Sequence, residues 1–199
     1  PTQSLLKKQN VKSMTPLHDV QELHFPDFFT SAQRAYRAVN FKNAIDRADA
    51  VIVSYEHVKK DIINFFSKSG DQVHTVLLDM QDLWFSKVKT RNNSLLKKYD
   101  LPLNFLLYPA SSWKHKNHLN LIKAIKHLNN PEINLICTGH PTDHFTDKIL
   151  PFIKEEGLNS KIRFLGIVTD EELYELYQTC RAVVVPTLYE TGSFPLMES

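Results

Sequence analysis

Cysteine is scarce in this sequence. Cys137 and Cys180 are the only two, in the apolar settings "LIC" and "YQTC", with no CxxC spacing. That count excludes a disulfide framework and suits two buried thiols in a reducing cytoplasm. Net charge is nearly absent too, at +2 from 24 basic and 22 acidic residues, and so gives no case for nucleic acid as a partner. Long hydrophobic runs are missing: "AVIV", "NFLLY" and "AVVVP" are far too short to cross a bilayer. The opening "PTQSLLKKQN" is polar and basic rather than a secretory signal, and it begins with Pro1 instead of Met, which suggests a fragment or a processed product. Repeats and low-complexity tracts do not occur. The "NNS" at Asn92 matches a glycosylation acceptor but carries no meaning in a cytoplasmic protein. The remainder is ordinary globular composition, 42% hydrophobic and 23% charged over 199 residues, enough for one large domain or parts of two.

What is present is an alternation of short apolar runs with amphipathic stretches. A strand over Met14 to Leu17 ends in "HD", and a helix runs over Ser31 to Arg47. "AVIVS" is the next strand, with Ser54 placed to cap a helix through Phe66, and "QVHTVLL" is another. From Asp79 to Asn104 the pattern gives way to polar and basic residues with Pro102, the composition of an interdomain connection. Alternation then resumes with "NFLLY" and a helix over His118 to Leu128 that sets Leu121, Ile122, Ile125 and Leu128 on one face. "INLICTG" follows, then a helix closed by Gly157, then "IRFLG". Thr169 and Glu172 form a capping box for a helix whose Leu173, Leu176, Tyr177 and Cys180 share a side, and "AVVVP" ends the series. Strand–helix alternation implies parallel sheets covered on both faces, an α/β class of two doubly wound domains over 1–85 and 104–199 joined by a linker over 86–103.

The closing "TLYETGSFPLMES" draws the functional argument. A fully apolar "AVVVP" should be a central strand, so the next loop leaves its carboxyl end, where doubly wound sheets bind ligands. A helix beginning near Pro195 turns its free N–H groups toward that crevice, a seat for phosphate oxygens, and Gly192 and Ser193 let the backbone come close. Glu198, one turn in, can accept from a pair of adjacent hydroxyls such as a ribose diol, and Glu190 reaches whatever lies beyond the phosphates. A first-turn carboxylate is equally what the helix dipole favours with no ligand present.

The stretch "ETGSFPLME" resembles the E-x7-E motif of retaining glycosyltransferases with the GT-B fold, especially family 4. "PLHDVQELHFPDFF" is similar to that family's "HDxxxxxxP" element, and "ADAVIVSYEHVKKDI" to the strand and helix after it. "LLYPASSWKHKNHLNLIKAI" resembles the start of the second domain in bacterial mannosyltransferase-like members, and "RFLGIVTDEELYELYQTCRAVVVPTLYE" resembles the approach to the motif. The resemblance covers nearly the whole chain and implies an internal section of a protein about twice as long, with two incomplete Rossmann-like domains. It implies transfer of a hexose, mannose by the closest motif, from a nucleotide-diphosphate sugar such as GDP-mannose to a glycan or lipid-linked acceptor, without metal or other cofactor. Same-face attack, with the leaving phosphate taking the acceptor's proton, is the mechanism implied.

By the same resemblance Glu198 holds the ribose, Glu190 the donor sugar, the amides near Ser193 and Phe194 the diphosphate, and Lys116 a phosphate, while His18 reaches the donor sugar. Gly139 and Gly166 match turns near the nucleotide, and they also suit plain turn positions. The family's arginine before the lysine is absent: "ASSWKHKN" offers Lys114 and His115, or the hydroxyls of Ser111 and Ser112, in its place. Asp19 is expected to organise its loop. The pairs His115/His118 and His140/His144 offer no two ligands on one helical face, so a metal site is not expected. Lysines scattered over several elements are solvated faces, some of them able to meet anionic lipid headgroups at the inner face of a membrane. Two alternatives stand beside the transferase: a sugar-nucleotide epimerase of the same fold, for which no extra acid–base groups stand out, and a degenerate domain that only binds a nucleotide or partner.

Overall fold

A computed structural model describes residues 11–79 and 94–199, and the chain divides into two compact units, the first ending at Asp79. The expected domain boundary at 85/86 lies outside the described residues.

The first unit runs β1 (Met14–Pro16), α1 (Gln21–His24), α2 (Ser31–Arg47), β2 (Ala50–Val53), α3 (Glu56–Phe66) and β3 (Val73–Thr75). Its strands form a parallel sheet in the order β1-β2-β3, with Thr15, Val51 and Val73 aligned on one buried rung. Leu17, Val20, Ile45, Val53, Val58 and Ile62 complete the core around that rung. Burying one such side chain stabilises the unit by about 1.5–3 kcal/mol. α2 starts from a capping box in which the Thr30 hydroxyl accepts from the Gln33 amide and the Gln33 side chain accepts from the Thr30 amide. Only Ala44 and Ile45, near its end, are buried.

Two expectations are corrected here. Ser54 does not cap α3: the helix begins at Glu56, and the extended residue before it, Tyr55, makes no side-chain cap bond. The strand expected from "QVHTVLL" stops at Thr75, because its partner β2 ends at Val53. One further bond, from the Val76 amide to the Val53 carbonyl at 2.8 Å, closes the ladder, and Val76 and Leu77 are exposed.

The second unit runs α4 (Ser94–Lys98), β4 (Leu106–Pro109), α5 (His118–Leu128), β5 (Leu135–Thr138), α6 (Leu150–Glu155), β6 (Ile162–Phe164), α7 (Asp170–Thr179), β7 (Ala182–Val183) and α8 (Phe194–Glu198). The sheet is parallel, ordered β6-β5-β4-β7. Alternation along the strands assigns the two faces. Tyr108, Leu135 and Cys137 pack with Leu121, Ile122 and Ile125 of α5 and Ile153 of α6. Leu107 and Ile136 turn the other way, onto Leu95 of α4 and Leu176 of α7. The capping box of Thr169 and Glu172 opens α7, and Gly157, at φ +65°, follows α6.

Three further readings change. Among the described residues β7 ends the sheet order and pairs with β4 alone. An all-apolar strand needs cover on its two faces, a demand that says nothing about its two edges. Leu128, the last residue of α5, is exposed where the chain leaves through Asn129 in a left-handed conformation. The linker expected over 86–103 is in part packed structure: Leu95 and Leu101 are buried in the second unit's core.

Candidate functional site

The four carboxyl-end loops of the second unit's sheet gather most of the residues singled out from sequence. The loop after β5 approaches the one after β4 so closely that a side chain has no room between them. Gly139, at φ +121°, would set a Cβ 2.6 Å from the Ala110 carbonyl carbon and 2.7 Å from the Ser111 nitrogen. Its amide donates to the Gly166 carbonyl at 2.8 Å, drawing in the loop after β6. Ser112 is buried and committed: its hydroxyl accepts from the Thr142 amide at 2.8 Å, its carbonyl accepts from the Thr142 hydroxyl at 2.8 Å, and its amide donates to the His140 carbonyl. This corrects the expectation that the Ser112 hydroxyl helps hold phosphate; it braces two loops instead. Lys114 and Trp113 are exposed, and His115 is half-buried.

Lys116 ends a single 3-10 turn, Lys114–Lys116, before Asn117 enters α5 with φ +63°. Its carbonyl accepts from the Tyr108 hydroxyl at 2.6 Å. The adjacent Asn117 side chain donates to the Pro186 carbonyl at 2.9 Å. The Leu188 amide donates to the His115 carbonyl at 2.8 Å, and the Thr187 hydroxyl donates to the same oxygen at 3.2 Å. The loop after β7 is thereby bonded to the loop after β4. Across that seam Lys116 Nζ donates to Glu190 Oε1 at 2.5 Å, with the two side chains 21% and 23% exposed.

Glu198 lies at the end of the five-residue α8, where its Oε2 accepts from the Tyr177 hydroxyl at 2.6 Å. Ser193 precedes the helix, and its hydroxyl is buried with no hydrogen-bond partner and makes no cap bond. Gly192 has φ +139°, and Phe194 is exposed. Gly166, at φ +73°, has open space where a Cβ would stand.

Burial governs the site's electrostatics. It raises the Tyr108 hydroxyl pKa, with the Glu190 carboxylate adding to the effect, and it raises that of Tyr177, helped by the bond to Glu198. His118, the first residue of α5, is almost wholly buried between the Tyr108 and Phe164 rings, 4.7 and 5.7 Å away between centroids. Burial lowers its pKa to about 4, and the nearby His144 and Lys116 add to that; neither ring nitrogen meets a partner at hydrogen-bonding geometry, although the Ala110 backbone is near. The ring is therefore neutral at pH 7. Among the described residues no three His, Cys, Asp or Glu side chains gather as metal ligands, and no helix is long and apolar enough to cross a membrane.

His18 belongs to the first unit, exposed in the loop that leaves β1. Asp19 organises that loop, as expected: its Oδ1 accepts from the Gln21 amide at 3.2 Å and from Arg37. Arg37 also donates to Glu22 at 2.7 Å and to the Asp19 carbonyl, while its guanidinium lies over the Phe41 ring at 4.6 Å. Sequence reasoning missed Arg37, Tyr108, Asn117, Thr187 and Tyr177. Each acts on a residue in another element, and no local spacing announces such a pairing.

The profile of the family described as "Glycosyl transferases group 1" matches residues 95–199. The chain is 25% identical over 193 residues to O-antigen chain mannosyltransferase B of Escherichia coli, covering 94% of this chain and 50% of that protein. The chain thus spans about half the length of the curated relatives it matches. Among solved structures it is similar to sucrose-phosphate synthase from Thermosynechococcus elongatus, with a TM-score of 0.77 and 21% identity over 96% of this chain and 48% of that one. It is also similar to Anabaena HepE in complex with UDP-glucose, with a TM-score of 0.75 and 17% identity over 93% of this chain and 50% of that one. At these identities the likeness is one of fold.

Proposed function

This chain belongs to the glycosyl transferases of group 1 and carries α/β units of the GT-B type, and from that premise we propose that the whole protein transfers mannose from GDP-mannose to a glycan or lipid-linked acceptor. The observation that carries this reading is the meeting of Lys116 and Glu190 at the carboxyl ends of β4 and β7, a cation and a carboxylate fixed where the fold receives a ligand. The relative named a mannosyltransferase supports the sugar, and the neighbour solved with UDP-glucose supports a nucleotide-sugar donor.

In the reaction, the bond between the sugar's anomeric carbon and the β-phosphate oxygen breaks while the acceptor hydroxyl oxygen bonds to that carbon. The acceptor's proton passes to the departing phosphate on the same face, so configuration is retained. Charge accumulates on the diphosphate as the bond breaks. Lys116 stabilises that charge more in the transition state than in the ground state, which lowers the barrier. Glu190 accepts from hydroxyls of the sugar and orients it, and Glu198 accepts from the ribose diol. The Gly192–Ser193–Phe194 backbone faces the diphosphate, and the unpartnered Ser193 hydroxyl offers it one more donor. With Ser112 committed to its brace, Lys116 is the principal cation for phosphate. Gly139 and Gly166 border the nucleotide. His18 keeps the role the resemblance gives it, contact with the donor sugar. The free thiols of Cys137 and Cys180 suit the cytoplasm, where we place the protein, with lysines meeting the inner face of the membrane.

The test is calorimetric titration of the full-length protein with GDP, UDP and ADP, followed by transfer assays of Glu190→Ala. GDP should bind and mannose transfer should fall by about 10²-fold or more. Binding of no nucleotide would overturn the assignment. Nucleotide binding with no turnover in the parent protein would leave the binding-domain alternative in its place.

A further inference from the structure

We propose that Glu190 is a specificity-determining competitor for Lys116, making the site prefer an intact nucleoside-diphosphate sugar over the nucleoside diphosphate left after transfer. The inference rests on the reading of this pocket as the donor site.

Lys116 and Glu190 form an ion pair at 2.5 Å, about four-fifths buried on both sides. The bonds that hold the two loops together do not include the pair itself. They are Asn117 to the Pro186 carbonyl, and Leu188 and Thr187 to the His115 carbonyl, while Tyr108 of β4 fixes the Lys116 carbonyl within its own loop. The loops therefore present the cation and the carboxylate to each other without relying on the ion pair itself.

An anion that takes Lys116 must displace Glu190 or share the lysine with it. Either way a largely buried carboxylate loses its lysine donor, wholly or in part, and faces a second negative group, which is costly in a site of reduced dielectric. The ligand's chemistry decides whether that loss is made good. A sugar still joined to the diphosphate brings hydroxyl donors that can replace the lysine's protons on Glu190. A free nucleoside diphosphate brings acceptor oxygens and one more negative charge. Charge alone would favour the diphosphate at a lysine; the pair reverses that preference by penalising the ligand that leaves Glu190 unsatisfied. Once the sugar has gone, Glu190 recovers Lys116 in direct competition with the product, which hastens its departure.

The experiment is isothermal titration of the full-length protein and its Glu190→Gln variant with GDP and with GDP-mannose. Glutamine keeps the shape and removes the charge. GDP should bind the variant at least about tenfold more tightly, while GDP-mannose gains nothing, so the ratio of the two dissociation constants shifts by that factor. The gain should vanish in Lys116→Gln/Glu190→Gln, where no lysine remains to be freed. Glu190→Ala should show the same gain for GDP, which guards against an accident of the amide. If the parent protein binds GDP and neither variant binds it more tightly, the competition does not exist. If the parent protein binds neither nucleotide, it is the donor-site reading that fails, a result distinct from the first.

Discussion

Arg37 in the first unit holds two carboxylates and a backbone carbonyl at once, and its removal tests how the histidine–aspartate loop is built. Glu22 is 4% exposed, and burial raises its pKa even with the guanidinium at 2.7 Å. Arg37→Ala leaves that carboxylate buried without its cation, a class of change that costs about 3–5 kcal/mol. Loss of the guanidinium face over Phe41 adds about 0.5–1 kcal/mol. The sign of the pH effect follows from the raised pKa. A buried carboxyl whose folded pKa exceeds its unfolded value of 4.5 opposes folding above the folded value, and the penalty fades as pH falls through it. Without Arg37 the folded value climbs further, so the variant's deficit should be largest near neutral pH and shrink by about pH 5. Urea unfolding followed by far-ultraviolet circular dichroism at both pH values measures this, and Glu22→Gln in the Arg37→Ala background should recover much of the neutral-pH loss. An equal deficit at both pH values, with no recovery in the double variant, would refute the account of Glu22 as a buried charge held by Arg37.

Gly139→Ala forces a Cβ against the backbone of Ala110 and Ser111 at a φ of +121°, with no flexible side chain to give way. Thermal denaturation should show a loss of at least about 3 kcal/mol, against about 1 kcal/mol for Gly166→Ala, where space is open and only the left-handed backbone resists. His118 supplies a pH signature: its folded pKa lies near 4, below the ordinary 6.5, so stability present above the unfolded value drains away as pH falls from 6.5 toward 4. The whole window is worth on the order of 3 kcal/mol. His118→Phe should flatten that stretch of the stability–pH curve, and an unchanged slope would show that the ring is not held neutral.

What the sequence made legible follows a physical division. Helix ends with their own chemistry, such as the Thr169–Glu172 box and the glycine after α6, depend on residues three or four apart, and they stand where the pattern placed them. Faces of strands and helices depend on periods of two and 3.6, and Leu121, Ile122 and Ile125 are buried accordingly. Edges have no period. The apolar run 182–186 is equally compatible with a central and an edge strand, and the length of β3 was set by its partner β2 rather than by its own residues. At the site, Lys116, Glu190 and Glu198 stood out by resemblance, whereas the ion pair between the first two and the hydroxyl bond to the third did not. Ser112 shows the same limit in reverse: a hydroxyl near a lysine expected to meet phosphate invites a ligand role until the bonds of Ser112 to Thr142, one to its hydroxyl and one to its carbonyl, are seen.

The separation in sequence between partners has a consequence for how function can be dissected. Lys116 meets Glu190 across 74 residues, Asn117 meets Pro186 across 69, and His115 meets Thr187 across 72. The last two of these contacts end on main-chain carbonyls, so the seam between the loops is written largely in backbone geometry, and the ion pair rides on it. Side chains that ride on a seam can be exchanged while the seam stays closed. Charge at Glu190 is therefore a variable that can be changed without rebuilding the two loops, whereas Gly139 and Ser112, which join the loops after β4 and β5, cannot be changed without moving that second junction.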